Sequence, residues 1–230
     1  MDTLKHIRNC NWYFCILLVF IASGFALLLT YGKAGSFISL NYYHSLWLDN
    51  IFIKYTLLGD GIFSICVIVL SYLLIKIKKQ SFALLLSLII SSFVAQILKN
   101  IFNSPRPKLF FGSNQYLHFI EGVSLSSYSS FPSGHTATAF AMATVLVCFI
   151  KNKNIHIGIL IAAVLVGYSR IYLGQHFLMD VLVGALVGTL TGLISFQIAM
   201  NVKPIKFSLF KFNLLQQRKS HAAQTSIFST

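Results

Sequence analysis

Long uncharged stretches constrain this chain more than any other feature. The first, residues 9–32, contains no Asp, Glu, Lys or Arg, and a helix of that length can cross a bilayer core of about 30 Å. Only 10% of all residues are charged, and the mean hydropathy is +0.75. These values are typical of integral membrane proteins. We predict an all-α integral membrane protein, because a membrane strand needs only about 10 residues.

Five further uncharged runs predict a six-span helical bundle. The fifth is short, so its span would depend on flanking residues. The first run lacks a small-residue cleavage pattern, which favours a retained span over a signal peptide. We expect one domain, residues 1–202, followed by a basic cytoplasmic tail, 203–230. The six runs are 9–32, 61–75, 80–98, 122–150, 154–169 and 181–202.

The distribution of the positive charges predicts an orientation. The net charge is +13, but the basic residues flank apolar runs instead of forming a groove, which argues against nucleic-acid binding. Twelve of the 18 Lys and Arg residues lie on the side of both termini. By the positive-inside rule the termini are then cytoplasmic, in the inner (cell) membrane. These twelve are Lys5, Arg8, Lys76, Lys78, Lys79, Lys151, Lys153, Lys203, Lys206, Lys211, Arg218 and Lys219.

The four cysteines lie in or beside apolar runs and form no close pair, which favours free thiols over a zinc site or a disulfide framework.

Three short motifs are predicted to lie on the opposite, outward-facing side. The motifs are Lys99 with Arg106-Pro107; Pro132-Ser133-Gly134-His135; and Ser169-Arg170 with His176 and Asp180.

The spacing of His176 and Asp180 predicts a nucleophile and its orienting carboxylate. On a helix these residues are i and i+4 and share a face. Asp180 could then accept a hydrogen bond from one ring nitrogen and leave the other free to attack. The alternative is a polar pair at the end of a span, but ionisable residues at membrane depth are usually functional.

The second motif is typical of a helix start that binds an anion. A glycine allows close approach of a ligand to free backbone N–H groups, and Ser133 can add a hydroxyl donor. His135 would then lie beside the anion and could protonate a leaving group. Taken alone, the tetrapeptide could be an ordinary helix start.

Lys99, Arg106 and Arg170 are the candidate phosphate-binding cations. The guanidinium fork suits phosphate oxygens, and fixed cations stabilise charge in phosphoryl transfer. Alternatively, Lys99 could snorkel to the interface and Arg106 could be an ordinary loop charge.

Together the motifs resemble those of the type 2 phosphatidic acid phosphatase superfamily, which includes vanadium haloperoxidases and glucose-6-phosphatase. The resemblance implies that His176 attacks phosphorus and forms a phosphohistidine, and that His135 acts as acid and then base. It also implies that no metal or other cofactor is needed. The matching positions are Lys99, Arg106, Ser133, Gly134, His135, Arg170, His176 and Asp180.

We therefore expect a lipid phosphatase at the outer face of the membrane, with undecaprenyl diphosphate or lipid A ranked above phosphatidylglycerol phosphate and phosphatidic acid. Two alternatives are a non-catalytic phospholipid-binding transporter and a vanadate-dependent peroxidase. The head group, the lipid chain and the oligomeric state stay open.

For several other residues the sequence leaves two roles possible. Asp60 could line the cavity or cap a helix. His118 and Glu121, in the long outer loop 103–131, could touch a head group, although solvated loop positions are the simpler reading. Residues 32–55 are rich in aromatic side chains, which suggests a helix at the membrane surface. The four-residue spacing of Gly184, Gly188 and Gly192 predicts close helix packing.

Overall fold

The computed structural model describes residues 9–75, 77–112, 120 and 127–202, and within these ranges the regular structure is helical. The predicted tail, His118 and Glu121 lie outside the described residues. The helices are α1 (Asn11–Leu40), α2 (Leu46–Tyr55), α3 (Gly61–Leu70), α4 (Lys78–Phe102), α5 (Pro107–Phe111), α6 (Gly134–Phe149), α7 (Lys153–Tyr172) and α8 (Leu178–Asn201). A 3₁₀ turn, Thr56–Gly59, lies between α2 and α3, and a π-helical segment, Ser71–Ile75, follows α3.

Four helical segments are long and apolar enough to cross a membrane: α1, Lys78–Phe111, α7 and α8. A bent pair, Leu46–Gly59 with Gly61–Leu74, would add a fifth if it counts as one span. Helix α6 has 16 residues and would reach about 24 Å at 1.5 Å per residue. The all-α membrane class is therefore confirmed. Helices occur at all six predicted positions, but the count of six spans stays a prediction.

Two of the uncharged runs differ in extent from the helices that the structure describes. In the fourth run, 122–150, a helix begins at Gly134 within the second motif, where the sequence predicts a helix start, because Ser133 caps it there. The fifth is a 20-residue helix that continues through Arg170 to Tyr172. Arg170 ends the uncharged run but not the helix, because its buried side chain donates a hydrogen bond to Thr56.

Helix α1 has a kink at Gly32, whose φ of 67° is a conformation that glycine adopts without steric cost. The part of α1 before the kink therefore ends where the first uncharged run, 9–32, ends. Most of the predicted connection 32–55 is in fact helical. Its aromatic residues divide between two environments: Phe37 and Phe52 are buried, whereas Tyr42, Tyr43 and Trp47 are exposed.

Helix α6 lies at the centre of the bundle, between α4, α7 and α8, and most of its side chains are buried. Three glycines let α8 approach it closely. A Cβ placed on Gly184 would lie 2.7 Å from the carbonyl oxygen of Ser133, one on Gly192 would lie 2.7 Å from that of Ala141, and one on Gly188 would overlap that of Ala137. The predicted close packing of this glycine series is confirmed.

Candidate active site

The three motifs meet at one end of the bundle, where α4 and α7 end and α6 and α8 begin. The backbone N–H of Ser133 donates to the carbonyl oxygen of Asp180 at 3.0 Å, which ties the second motif to the third. Lys99, in the last turn of α4, brings its Nζ within 3.8 Å of the position that a Cβ on Gly134 would occupy. Residues from 99 to 180 therefore form a single cluster.

Asp180 is held at the start of α8 beside His176. Its Oδ2 lies 3.5 Å from Nδ1 of His176, accepts the backbone N–H of Phe177 at 3.0 Å and accepts the hydroxyl of Ser130. The two side chains lie next to each other, but at this distance Nδ1 of His176 has no hydrogen-bond partner among the described residues. They also do not share a helix face, because α8 begins at Leu178 and Phe177 has an extended backbone. The pair instead closes across the helix N-terminus, where a carboxylate is stabilised by the helix dipole.

His176 is almost completely buried, at 1% exposure. Burial lowers the pKa of His176 to about 4; Arg170 and Arg106 act in the same direction, whereas Asp180 opposes them. The ring is therefore neutral at ordinary pH. With Nδ1 facing Asp180, the other nitrogen, Nε2, is the one available to a substrate.

Arg170, in the last turn of α7, is buried with one donor unused. Its Nη1 donates to Oγ1 of Thr56 at 2.7 Å, whereas its Nε finds no hydrogen-bond partner among the residues that the structure describes. Its carbonyl oxygen accepts the backbone N–H groups of Gln175 and His176, at 3.0 and 3.2 Å. Arg170 thus orients the backbone of His176 and offers a buried N–H to an anion.

Arg106 lies just before α5 and reaches across to the third motif. Its Nε donates to the carbonyl oxygen of Tyr128 at 3.2 Å, and its Nη1 donates to Oε1 of Gln175. Its backbone N–H donates to the carbonyl oxygen of Ser127 at 2.9 Å. Arg106 is therefore more than a loop charge: it joins the segment before the second motif to the residue next to His176.

Ser133 is completely buried and caps α6. Its Oγ accepts the backbone N–H of Thr136 at 3.4 Å and the hydroxyl of Thr136 at 2.8 Å. The predicted helix start is present, and its serine carries the cap. Because these bonds use only acceptor capacity, the Ser133 hydroxyl keeps its own proton to donate.

His135 and Lys99 line a cavity of about 250 Å³ together with Gly134 and Asp60. Nε2 of His135 lies 4.0 Å from Oδ2 of Asp60. Oδ1 of Asp60 accepts the backbone N–H of Ile62 at 2.9 Å. Both sequence readings of Asp60 thus hold, because one oxygen caps α3 and the other faces the cavity.

Sequence reasoning missed Thr56, Ser130 and Gln175. Gln175 and Ser130 lie within three residues of a motif, so proximity was an available signal. Thr56 belongs to a segment without any motif, and nothing in its local sequence marks it. In the part of the chain that the structure describes, no group of three or more His, Cys, Asp or Glu residues could hold a metal ion.

These features define a class: a helical membrane protein with three cations, two histidines and a carboxylate gathered at one end of its bundle. A family model described as the PAP2 superfamily matches residues 80–204, more than half of the chain and all three motifs. The chain belongs to the PAP2 superfamily, as the resemblance of its motifs predicted.

Two known proteins that resemble this chain are named as lipid phosphatases. It is 36% identical over 69 residues to a "Lipid A 4'-phosphatase" of Bacteroides thetaiotaomicron, which covers 30% of this chain and 31% of that protein. It is 31% identical over 131 residues to an "Undecaprenyl-diphosphatase" of Sulfolobus acidocaldarius, which covers 57% and 60%. The chain thus matches less than two thirds of the length of these relatives.

A solved structure matches over more of its length. The crystal structure of Aquifex aeolicus LpxE superposes with a TM-score of 0.64 at 32% sequence identity. The match covers 72% of this chain and 94% of that one. The structural match therefore extends over a larger share of both chains than either sequence match does.

Proposed function

We propose that this protein is a metal-independent phosphatase that hydrolyses a phosphomonoester or a diphosphate of a membrane lipid. Membership of the PAP2 superfamily and relatives named as phosphatases of lipid A and undecaprenyl diphosphate support the proposal. Apolar helices long enough to cross a membrane also support it, because a site at the end of such helices would be accessible to a lipid.

One observation carries the proposal: a buried arginine with an unused donor holds the backbone of a buried, neutral histidine. The Nε–H of Arg170 is buried without a partner in the described ranges. A buried unsatisfied donor is costly, and an oxyanion would satisfy it. The same residue holds the backbone of His176, so an oxygen bound to Arg170 would bring phosphorus close to the imidazole.

The first step transfers the phosphoryl group to His176. Nε2 attacks phosphorus and forms a P–N bond while the P–O bond to the leaving group breaks. Asp180 stabilises the positive charge that develops on the ring, and Lys99, Arg106 and Arg170 hold the phosphoryl oxygens with help from Ser133 and the backbone at Gly134. His135 donates a proton to the departing oxygen.

The second step releases phosphate. His135, now neutral, takes a proton from a water molecule, whose oxygen attacks phosphorus as the P–N bond breaks. The products are inorganic phosphate, neutral His176 and protonated His135; a diphosphate substrate loses its terminal phosphate in this way. Because His176 is buried, substrate binding has to open a path to Nε2; the bond between Arg106 and Gln175 next to it is the contact that a phosphate would replace.

The proposed location is the inner (cell) membrane, with both termini in the cytoplasm and the site facing outward. The excess of Lys and Arg in the predicted inner connections and the tail supports this orientation. Among substrates, we rank undecaprenyl diphosphate and lipid A above phosphatidylglycerol phosphate and phosphatidic acid. More of the similar proteins are named for the first two than for phosphatidylglycerol phosphate.

A phospholipid-binding transporter is the alternative from another functional class. Binding and release of a lipid phosphate would use the cations but would not need an oriented nucleophile. The contacts that hold Asp180 and His176 together favour hydrolysis.

Phosphate release from a panel of purified lipids in one detergent tests the proposal. We expect wild-type protein to release phosphate from at least one lipid phosphate and His176→Ala to lose at least about 10⁴-fold, since it lacks the nucleophile. Alkaline quenching should preserve a phosphorylated histidine at position 176. Wild-type protein that binds these lipids but never releases phosphate would support the transporter instead.

A further inference from the structure

The turn Thr56–Asp60 contributes to the site although it lies outside the region that matches the family, residues 80–204. Thr56 accepts a hydrogen bond from Arg170. Gly59 packs directly against the second motif, since a Cβ added there would lie 2.8 Å from the carbonyl oxygen of His135 and 3.0 Å from its Cβ. The turn therefore positions Asp60 relative to His135 through backbone contact.

Asp60 faces His135 with one oxygen while the other is held in place. Oδ1 accepts the backbone N–H of Ile62 at 2.9 Å, and Oδ2 lies 4.0 Å from Nε2 of His135. The two side chains are 39% and 32% exposed, and both line the same cavity. An opposite charge at this distance favours the charged form of a titratable group.

Burial and two neighbouring cations oppose a positive charge on the His135 ring. Burial has the largest effect, and Arg170 on α7 and Lys99 on α4 act in the same direction. His176, which is neutral at ordinary pH, adds to them only when it is itself protonated. Among the described residues that act electrostatically on His135, Asp60 is the carboxylate and favours the charged ring. A general acid must carry its proton when the substrate arrives, and burial beside two cations makes that difficult.

We propose that Asp60 is a positioning residue that keeps His135 protonated for its role as general acid. The inference rests on the proposed phosphatase function. Asp60 touches neither phosphorus nor the leaving group; it acts through the charge state and orientation of His135. The negative charge on Oδ2 of Asp60, 4.0 Å from Nε2 of His135, favours the protonated ring until the leaving oxygen takes the proton.

The variant Asp60→Asn tests this, because asparagine caps a helix as well as aspartate does but carries no charge. The alkaline limb of the kcat/KM profile should move to lower pH by about one unit, since His135 loses its proton more easily. A chain-bearing alkyl phosphate, whose leaving alkoxide needs a proton, should lose about tenfold in kcat/KM at pH 8. A nitrophenyl phosphate with the same chain should change little, because its leaving group departs without one.

Controls separate this role from helix capping. Asn152→Ala removes the cap of α7, where Asn152 accepts the N–H of Asn154 at 2.9 Å, at the end of α7 away from Arg170, and it should leave both substrates unaffected. In a His135→Ala background, Asp60→Asn should have no further effect.

Two results would overturn the inference. One is an Asp60→Asn profile with an unshifted alkaline limb. The other is an equal loss on the alkyl and nitrophenyl substrates, which a structural role alone would produce. If wild-type protein hydrolyses neither substrate, the proposed function itself fails, so the two failures are distinguishable.

Discussion

At the scale of single residues, the charged groups of the candidate site are held in place by hydrogen bonds from and to uncharged neighbours. Asp180 receives a backbone N–H and the hydroxyl of Ser130, and Arg170 is held by Thr56. Supporting contacts of this kind fix the geometry of a site before the substrate arrives.

Thr56→Val should weaken the site by removing the acceptor of Arg170 at nearly constant side-chain volume. A hydrogen bond to a charged group contributes roughly 1.5–3 kcal/mol, so we expect kcat/KM to fall about 10- to 100-fold. Thr56→Ser keeps the hydroxyl and should retain most of the activity. Steady-state kinetics on one lipid phosphate measures both. If the Thr56→Val variant has wild-type kinetics, Thr56 does not position Arg170.

The lowered pKa of His176 predicts an acid limb at unusually low pH. A histidine with an ordinary pKa of about 6.5 is mostly protonated, and not nucleophilic, at pH 5. Burial lowers the pKa of His176 to about 4, so the ring stays neutral and activity should persist at pH 5 and decline only near pH 4. Initial rates between pH 3.5 and 7, corrected for stability, give the limb. A limb at pH 6.5 would contradict the buried, neutral nucleophile.

At the scale of helices, the close contact of α6 and α8 sets the distance between the second and third motifs. Both helices begin at the site, and Ser133 and Asp180 are joined by a backbone hydrogen bond there. Any residue that separates the two helices should therefore reduce stability and also displace His135 from His176.

Gly188→Ala should destabilise the bundle, because its new Cβ would overlap the carbonyl oxygen of Ala137 and lie 2.9 Å from the nitrogen of Ala141. Overpacking of this kind costs about 1–3 kcal/mol. The matched control is Gly158→Ala on α7, where a Cβ meets nothing within 4 Å and alanine is the better helix former. Thermal unfolding in detergent should show a lower Tm for Gly188→Ala alone.

At the scale of the whole molecule, the site lies at one end of the bundle. Asn41 donates to the carbonyl oxygens of Ile171 and Tyr172 at the end of α7, both at 2.8 Å, whereas Lys151 precedes its start. Helix α7 has 20 residues, so these positions are about 30 Å apart. The exposed residues Tyr42 and Lys151 can therefore report on opposite sides of the membrane.

Cysteine labelling tests the proposed orientation. In a background without the four native cysteines, Tyr42→Cys should react with an impermeant thiol reagent added to intact spheroplasts. Lys151→Cys should react only after the membrane is opened, because the positive-inside rule places it in the cytoplasm. Retained phosphatase activity of each variant is the control for correct folding. The reverse labelling pattern would place the site in the cytoplasm.

Much of this architecture follows from local sequence. Uncharged runs located the main helices, and the end of the first straight helix at Gly32 is where a positive φ requires glycine. The glycine series of α8 predicted a close helix contact. The spacing of His176 and Asp180 predicted that the two side chains lie close together. They do, but His176 lies in the turn before α8 and not on a shared helix face.

Features encoded within short distances along the chain are predictable from local sequence: apolar runs, helix starts, turn glycines and the residue types of the three motifs. The contacts of Thr56 with Arg170, of Gln175 with Arg106 and of Asp60 with His135 become evident only from the folded structure. Those pairs join residues far apart in the chain or depend on how a loop folds back. Their contacts arise only when whole helices pack, because packing energy is summed over many side chains and is not visible in any single segment.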